Sequence, residues 1–206
     1  MSHHAWQRAR TFFSLITALA VATSPARASF HEWRITEVYS NASGTNQFIE
    51  MFDPDPGENF IHSAGAFIAS DTNSYSFPTD LVGDTTNKHL LIATPGFAAL
   101  PGGVTPDFQI PAHFFNPTGD TINYDFLDFL IFGAGQLPTN GVNSLNRPWG
   151  DGSTGTSMPN SPTNFNGDVG SISVPEPSGV ALAGIGCVFT TLRRRNRRAA
   201  SRGITD

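Results

Sequence analysis

The chain has 206 residues, 17 acidic and 12 basic, and a single cysteine. Nine of the bases lie in the first 27 residues or after residue 192, which leaves three bases against fifteen acids between Ser29 and Val174, a formal charge of −12. Three bases offer no stripe to neutralise phosphates, which excludes the usual electrostatic route to nucleic acid, and one cysteine excludes an internal disulfide.

The first segment carries Arg8 and Arg10, then an apolar run from Thr11 to Ala22, then Ala26-Arg27-Ala28. A basic start, a short apolar stretch and a small-x-small site make residues 1–28 a signal peptide, cut by signal peptidase after Ala28. The apolar run is shorter than the about 20 residues that span a bilayer. The mature chain then starts at Ser29.

Residues 29–149 form the expected domain. Strand-like runs appear at 34–39, 47–52, 66–69, 75–77, 89–94, 108–110 and 121–132. Turn clusters separate them at 41–46, 53–59, 101–105, 117–120 and 133–141. Short strands at this spacing predict an all-β sandwich held by its core alone. In 121–132 one face takes Ile122, Tyr124 and Phe126. The alternation slips after Leu127, and a bulge is expected there. From 150 to 173 the chain is rich in Gly, Ser, Thr, Asn and Pro and reads as a flexible linker.

Candidate chemistry is sparse. No G-x-S-x-G, H-E-x-x-H or P-loop is present. The mature histidines, His31, His62, His89 and His113, lack metal-ligand spacing. Asp53, Asp55 and Glu58 crowd one loop, and Asn164, Asn166 and Asp168 another. Hard oxygen donors of this kind suit Ca²⁺, although solvated turn residues have the same composition. Glu37 and Glu50 sit in apolar strands. They either pair across a sheet as acid and base or accept hydrogen bonds from the loop 41–46 between them. Trp33, Tyr75 and Trp149 are candidates to stack on sugar rings, Trp149 from a flexible loop. Asn41-Ala42-Ser43 is an N-x-S sequon read as a plain loop.

The C-terminal segment runs Val174-Pro175-Glu176-Pro177, then uncharged residues to Leu192, then Arg193-Arg194-Arg195-Asn196-Arg197-Arg198. The 16 residues from Pro177 to Leu192 reach about 24 Å as a helix, short of a hydrocarbon core of about 30 Å. The arginines belong on the cytoplasmic side, leaving everything upstream outside. Cys187 in this stretch reads as a small apolar filler. Residues 174–198 resemble the PEP-CTERM sorting signal. That resemblance implies recognition of Pro175-Glu176-Pro177 by an exosortase-type membrane protease, with 199–206 as a cytoplasmic tail.

A second resemblance begins at Arg34-Ile-Thr-Glu-Val-Tyr39 and continues in Phe48-Ile-Glu-Met-Phe-Asp53 and Leu137 to Leu145. These are similar to lamin-tail-like domains, although Met51-Phe52-Asp53 departs from that pattern. The resemblance implies an Ig-like β-sandwich, here flanked by an N-terminal signal helix and a short C-terminal membrane helix. The joint expectation is an exported, non-enzymatic surface or matrix protein that meets extracellular polysaccharide. An exported hydrolase or carbohydrate-binding module with a site assembled from distant residues is the alternative.

Overall fold

The computed structural model describes residues 29–174. The expected signal helix, the cleavage residues Ala26 and Ala28, the tripeptide Pro175-Glu176-Pro177, the apolar stretch and Arg193, Arg194, Arg195, Arg197 and Arg198 lie outside the described residues. Among the described residues no helix is long and apolar enough to cross a membrane.

The fold is all-β. Its strands are β1 (Arg34–Ser40), β2 (Gln47–Asp53), β3 (Phe67–Ala69), β4 (Ser74–Ser76), β5 (Lys88–Ala93), β6 (Phe108–Gln109), β7 (Asp120–Tyr124), β8 (Asp128–Phe132), β9 (Asn143–Asn146) and β10 (Thr156–Pro159), with one 3₁₀ turn at Phe97–Ala99. A six-stranded sheet has the order β10-β9-β1-β2-β5-β6, and a four-stranded sheet has the order β4-β3-β7-β8. All pairings are antiparallel except β5 with β6.

Apolar side chains alternate along the strands because successive residues face opposite sides of a sheet. Ile49 and Met51 of β2 and Leu90 and Ile92 of β5 meet Ile68, Ile122, Tyr124 and Leu130 of the smaller sheet in the main core. The outer face of the larger sheet carries a second cluster of Tyr39, Phe48, Leu91, Phe97 and Ile172. The register between β1 and β2 shifts between Ile35 and Glu37. This bulge at Thr36 lets Ile35 and Val38 both join the main core and turns Glu37 to the outer face, opposite Glu50.

Two expectations are corrected here. The stretch 121–132 is a hairpin of β7 and β8, not one bulged strand. Its turn puts Asp125 and Phe126 at φ 45° and 59°. The Phe126 amide donates to Asn123 Oδ1 at 2.8 Å and the Leu127 amide to the Tyr124 carbonyl at 2.8 Å. These bonds hold a conformation in which an L side chain is uncommon, and Phe126 faces solvent instead of sharing the face of Ile122 and Tyr124.

The second correction is residues 150–173, which are not a free linker. They supply β10 and a strap, residues 160–174, across the outer face of the larger sheet. Asn160 Oδ1 accepts the Ile172 amide at 2.6 Å and its Nδ2 donates to the Ile172 carbonyl at 2.8 Å. The Ser171 and Val174 amides donate to the carbonyls of Gly102 and Gly141, both at 2.9 Å. Polar composition misleads here because side-chain amides and backbone pairing, not an apolar stripe, fasten the strap.

Candidate functional site

A groove of 460 Å³ opens on the outer face of the six-stranded sheet, between β1, β2 and β5 on one side and the β9–β10 region on the other. Glu37, Glu50 and His89 line it from the strands; Trp149, Met158 and Ser161 line it from the later chain. The bulge at Thr36 and the antiparallel register place Glu37 and Glu50 directly opposite each other.

Both carboxylates are nearly covered, Glu37 2% and Glu50 4% exposed. Glu37 Oε1 accepts Ser144 Oγ at 2.5 Å and the Ser161 amide at 2.9 Å, and its Oε2 accepts Ser161 Oγ at 3.0 Å. Glu50 Oε1 meets His89 Nδ1 at 2.7 Å, and Oε2 accepts the Thr163 amide at 2.6 Å. The donors therefore come from β9, β5 and the strap, not from the expected loop 41–46. That loop closes on itself through Asn41, whose Oδ1 accepts the Asn46 amide. Burial, and then the charge of Glu50, push the Glu37 carboxyl up to about 7.

Trp149 forms one wall of the groove. Its Nε1 donates to the Glu32 carbonyl at 3.1 Å, and the Asp151 amide closes a turn onto the Pro148 carbonyl. The expected flexible loop is thus pinned, and the indole stays 39% exposed. Of the other aromatic candidates, Trp33 is fully buried with Nε1 bonded to the Glu58 carbonyl, and Tyr75 is half-buried against the core. Only Trp149 of the three lines the groove.

Arg147 closes the groove floor. Its guanidinium donates from Nε and one terminal nitrogen to the Ile35 carbonyl and from the other to the Phe129 carbonyl. It also pairs with Asp128, whose Oδ2 accepts the Ile35 amide. This cation fastens β8 to β1 and spends four of its five N–H donors within the protein.

The calcium candidates are not assembled into a shell. Asp53 is buried and accepts the Asp55 amide at 2.9 Å through Oδ1, Asp55 is exposed, and Glu58 Oε2 turns to the Glu32 amide. Asp53 Oδ2 is buried without a hydrogen-bond partner, and burial pushes its carboxyl up to about 6. A carboxyl raised in this way binds a hard cation only in competition with its own proton. Asn164 and Asp168 bond to each other across the turn at Gly167, whose φ is +88°. Among the described residues no cluster of three His, Cys, Asp or Glu side chains could hold a metal.

The groove was not visible as a motif. Glu37, Glu50, His89 and Trp149 span more than a hundred positions, and the bulge that aligns the two carboxylates leaves no local signature. The class defined so far is an acidic two-sheet β domain with a carboxylate-floored, tryptophan-walled groove. No protein-family model, no characterised protein and no solved structure matches the chain.

Proposed function

We propose that this is an exported, non-enzymatic surface or matrix protein whose domain, an Ig-like sandwich of the lamin-tail-like kind, holds extracellular polysaccharide in the groove beside Trp149. Signal peptidase would release it at Ala28, and an exosortase-type protease would process it at Pro175-Glu176-Pro177. The observation that carries the binding reading is the pinned, partly exposed indole of Trp149 on the wall of a preformed groove. A rigid aromatic face beside hydrogen-bonding groups suits a sugar ring at low entropic cost.

A hydrolase is the competing reading, favoured by one observation: a carboxyl raised to about 7 beside a second carboxylate. Against it, each oxygen of Glu37 and Glu50 already takes a donor from the protein, and both side chains are almost fully covered. An acid that protonates a leaving group must reach it within hydrogen-bond distance.

The test has two arms. Polysaccharide from a producing cell should be retained by the domain and lost about tenfold or more on Trp149→Ala, with no reducing ends released; turnover that disappears in Glu37→Gln would establish the hydrolase instead. In cells, Glu176→Ala should stop C-terminal processing, and unchanged processing would remove the sorting reading.

A further inference from the structure

Resting on the reading of the groove as a saccharide site, we infer that its ligand is an amino sugar with free amino groups, an oligomer or polymer of glucosamine type, and not an acidic or fully N-acylated sugar. The cavity and the fixed indole make the site; the charges around it choose the ligand. Four titratable or charged side chains line the groove: Glu37, Glu50, His89 and Arg147. Arg147 spends its guanidinium on two carbonyls and on Asp128, so its charge is already matched. Lys88, the nearest further base in sequence, is not in the wall: its ammonium lies over the Phe165 ring, 5.4 Å from the centroid. His89 gives one ring nitrogen to Glu50. Arg147 and His89 each already face a carboxylate of the protein, so the groove wall offers no unpaired cation to a carboxylate or sulfate, and the surrounding domain carries −12 between Ser29 and Val174.

An ammonium meets the opposite situation. The floor holds two carboxyl groups facing each other across β1 and β2, in a partly desolvated cleft where a counter-charge acts more strongly than in water. The two carboxyls repel, and one of them keeps its proton near neutrality. A sugar ammonium brought over the floor reverses that preference, so Glu37 ionises as the ligand arrives and its proton leaves to solvent. The covered oxygens act through space, while hydroxyls and the ring face meet Trp149 and the groove wall. An N-acetyl group in the same place brings no charge and adds bulk above a floor with little exposed surface.

The experiment is calorimetric titration of the folded domain at about pH 6, below the ordinary range of amine pKa values. The probes are a glucosamine hexamer, an N-acetylglucosamine hexamer and a glucuronic acid oligomer, each run in two buffers of different ionisation heat. The free-amine hexamer should bind about tenfold or more tighter than the N-acetylated one, the uronic oligomer weakest. Binding of the amine should release protons, and Glu37→Gln should abolish both the release and the preference. Glutamine can keep the contacts to Ser144 and Ser161, and its melting temperature checks that the fold survives. Equal or tighter binding of the N-acetylated or acidic oligomer, or a preference untouched by Glu37→Gln, overturns the amine inference and leaves the saccharide site standing. Failure of every oligomer to bind, with Trp149→Ala indistinguishable from wild type, overturns the site itself.

Discussion

Arg147 is a side chain that ties the two sheets together, and its energetics follow from its partners. It is 4% exposed and donates to the carbonyls of Ile35 and Phe129 while pairing with Asp128. Removing one member of a buried pair strands the other charge in a poorly solvated place. Arg147→Ala should therefore cost about 3–5 kcal/mol. Arg147→Lys keeps the charge but not the planar fork that reaches both carbonyls, and should still cost about 1–3 kcal/mol. Urea unfolding midpoints measure both. A lysine variant as stable as wild type would show that charge alone, not the divided hydrogen bonding, holds β8 to β1.

Among the elements, the strap 160–174 is where reading the residues in order fails most clearly. β1, β2 and β5 are legible because each is a short run rich in apolar and β-branched or aromatic residues between turn clusters. β9 and β10 are not: Asn143–Asn146 buries one apolar side chain, Leu145, and Thr156–Pro159 is exposed throughout. Backbone pairing at the sheet edge, which has no side-chain signature, places them. The groove was equally hidden. Glu37 and Glu50 stand out as acids in apolar strands, but only the bulge at Thr36 turns both to one face, and their donors come from a strap that composition marks as a spacer. The strap's attachment is testable through Asn160, whose side chain mimics a strand neighbour for Ile172. Asn160→Ala leaves the buried Ile172 amide and carbonyl short of partners and should destabilise the strap by about 1–3 kcal/mol. In hydrogen exchange the Ser171 and Val174 amides should open well before those of β2. If they stay as protected as β2 in that variant, the amide clamp is not what holds the strap.

For the molecule as a whole, the buried acids set the direction of its pH response. Glu37 is pushed up from 4.5 to about 7 and Asp53 from 3.8 to about 6, in both cases chiefly by burial. Asp107 is raised in the same sense. Between about pH 4 and 7 the folded chain thus binds more protons than the unfolded chain, so stability falls as pH rises through that window. The contribution is complete below the ordinary carboxylate values and gone above about 7. For Glu37 alone it is on the order of 3 kcal/mol, since each tenfold change in proton affinity is about 1.4 kcal/mol. Asp80 and Asp84 act oppositely, held low by Ser63 and Thr86, but only at the acid end where those two exposed groups themselves protonate. The excess of acids between Ser29 and Val174 adds self-repulsion that protonation relieves. The melting temperature should accordingly be higher at about pH 5 than at about pH 8, the reverse of a protein held by ionised salt-bridged carboxylates. Glu37→Gln mimics the protonated acid. It can accept from Ser144 and the Ser161 amide while donating to Ser161 Oγ, so it should raise the melting temperature at about pH 8 and flatten the decline from acid to neutral. A wild-type melting temperature that climbs from pH 5 to 8, or a glutamine variant that leaves the slope unchanged, would mean that Glu37 is ionised in the fold and that the strap is bound to a charge instead of to a neutral acid.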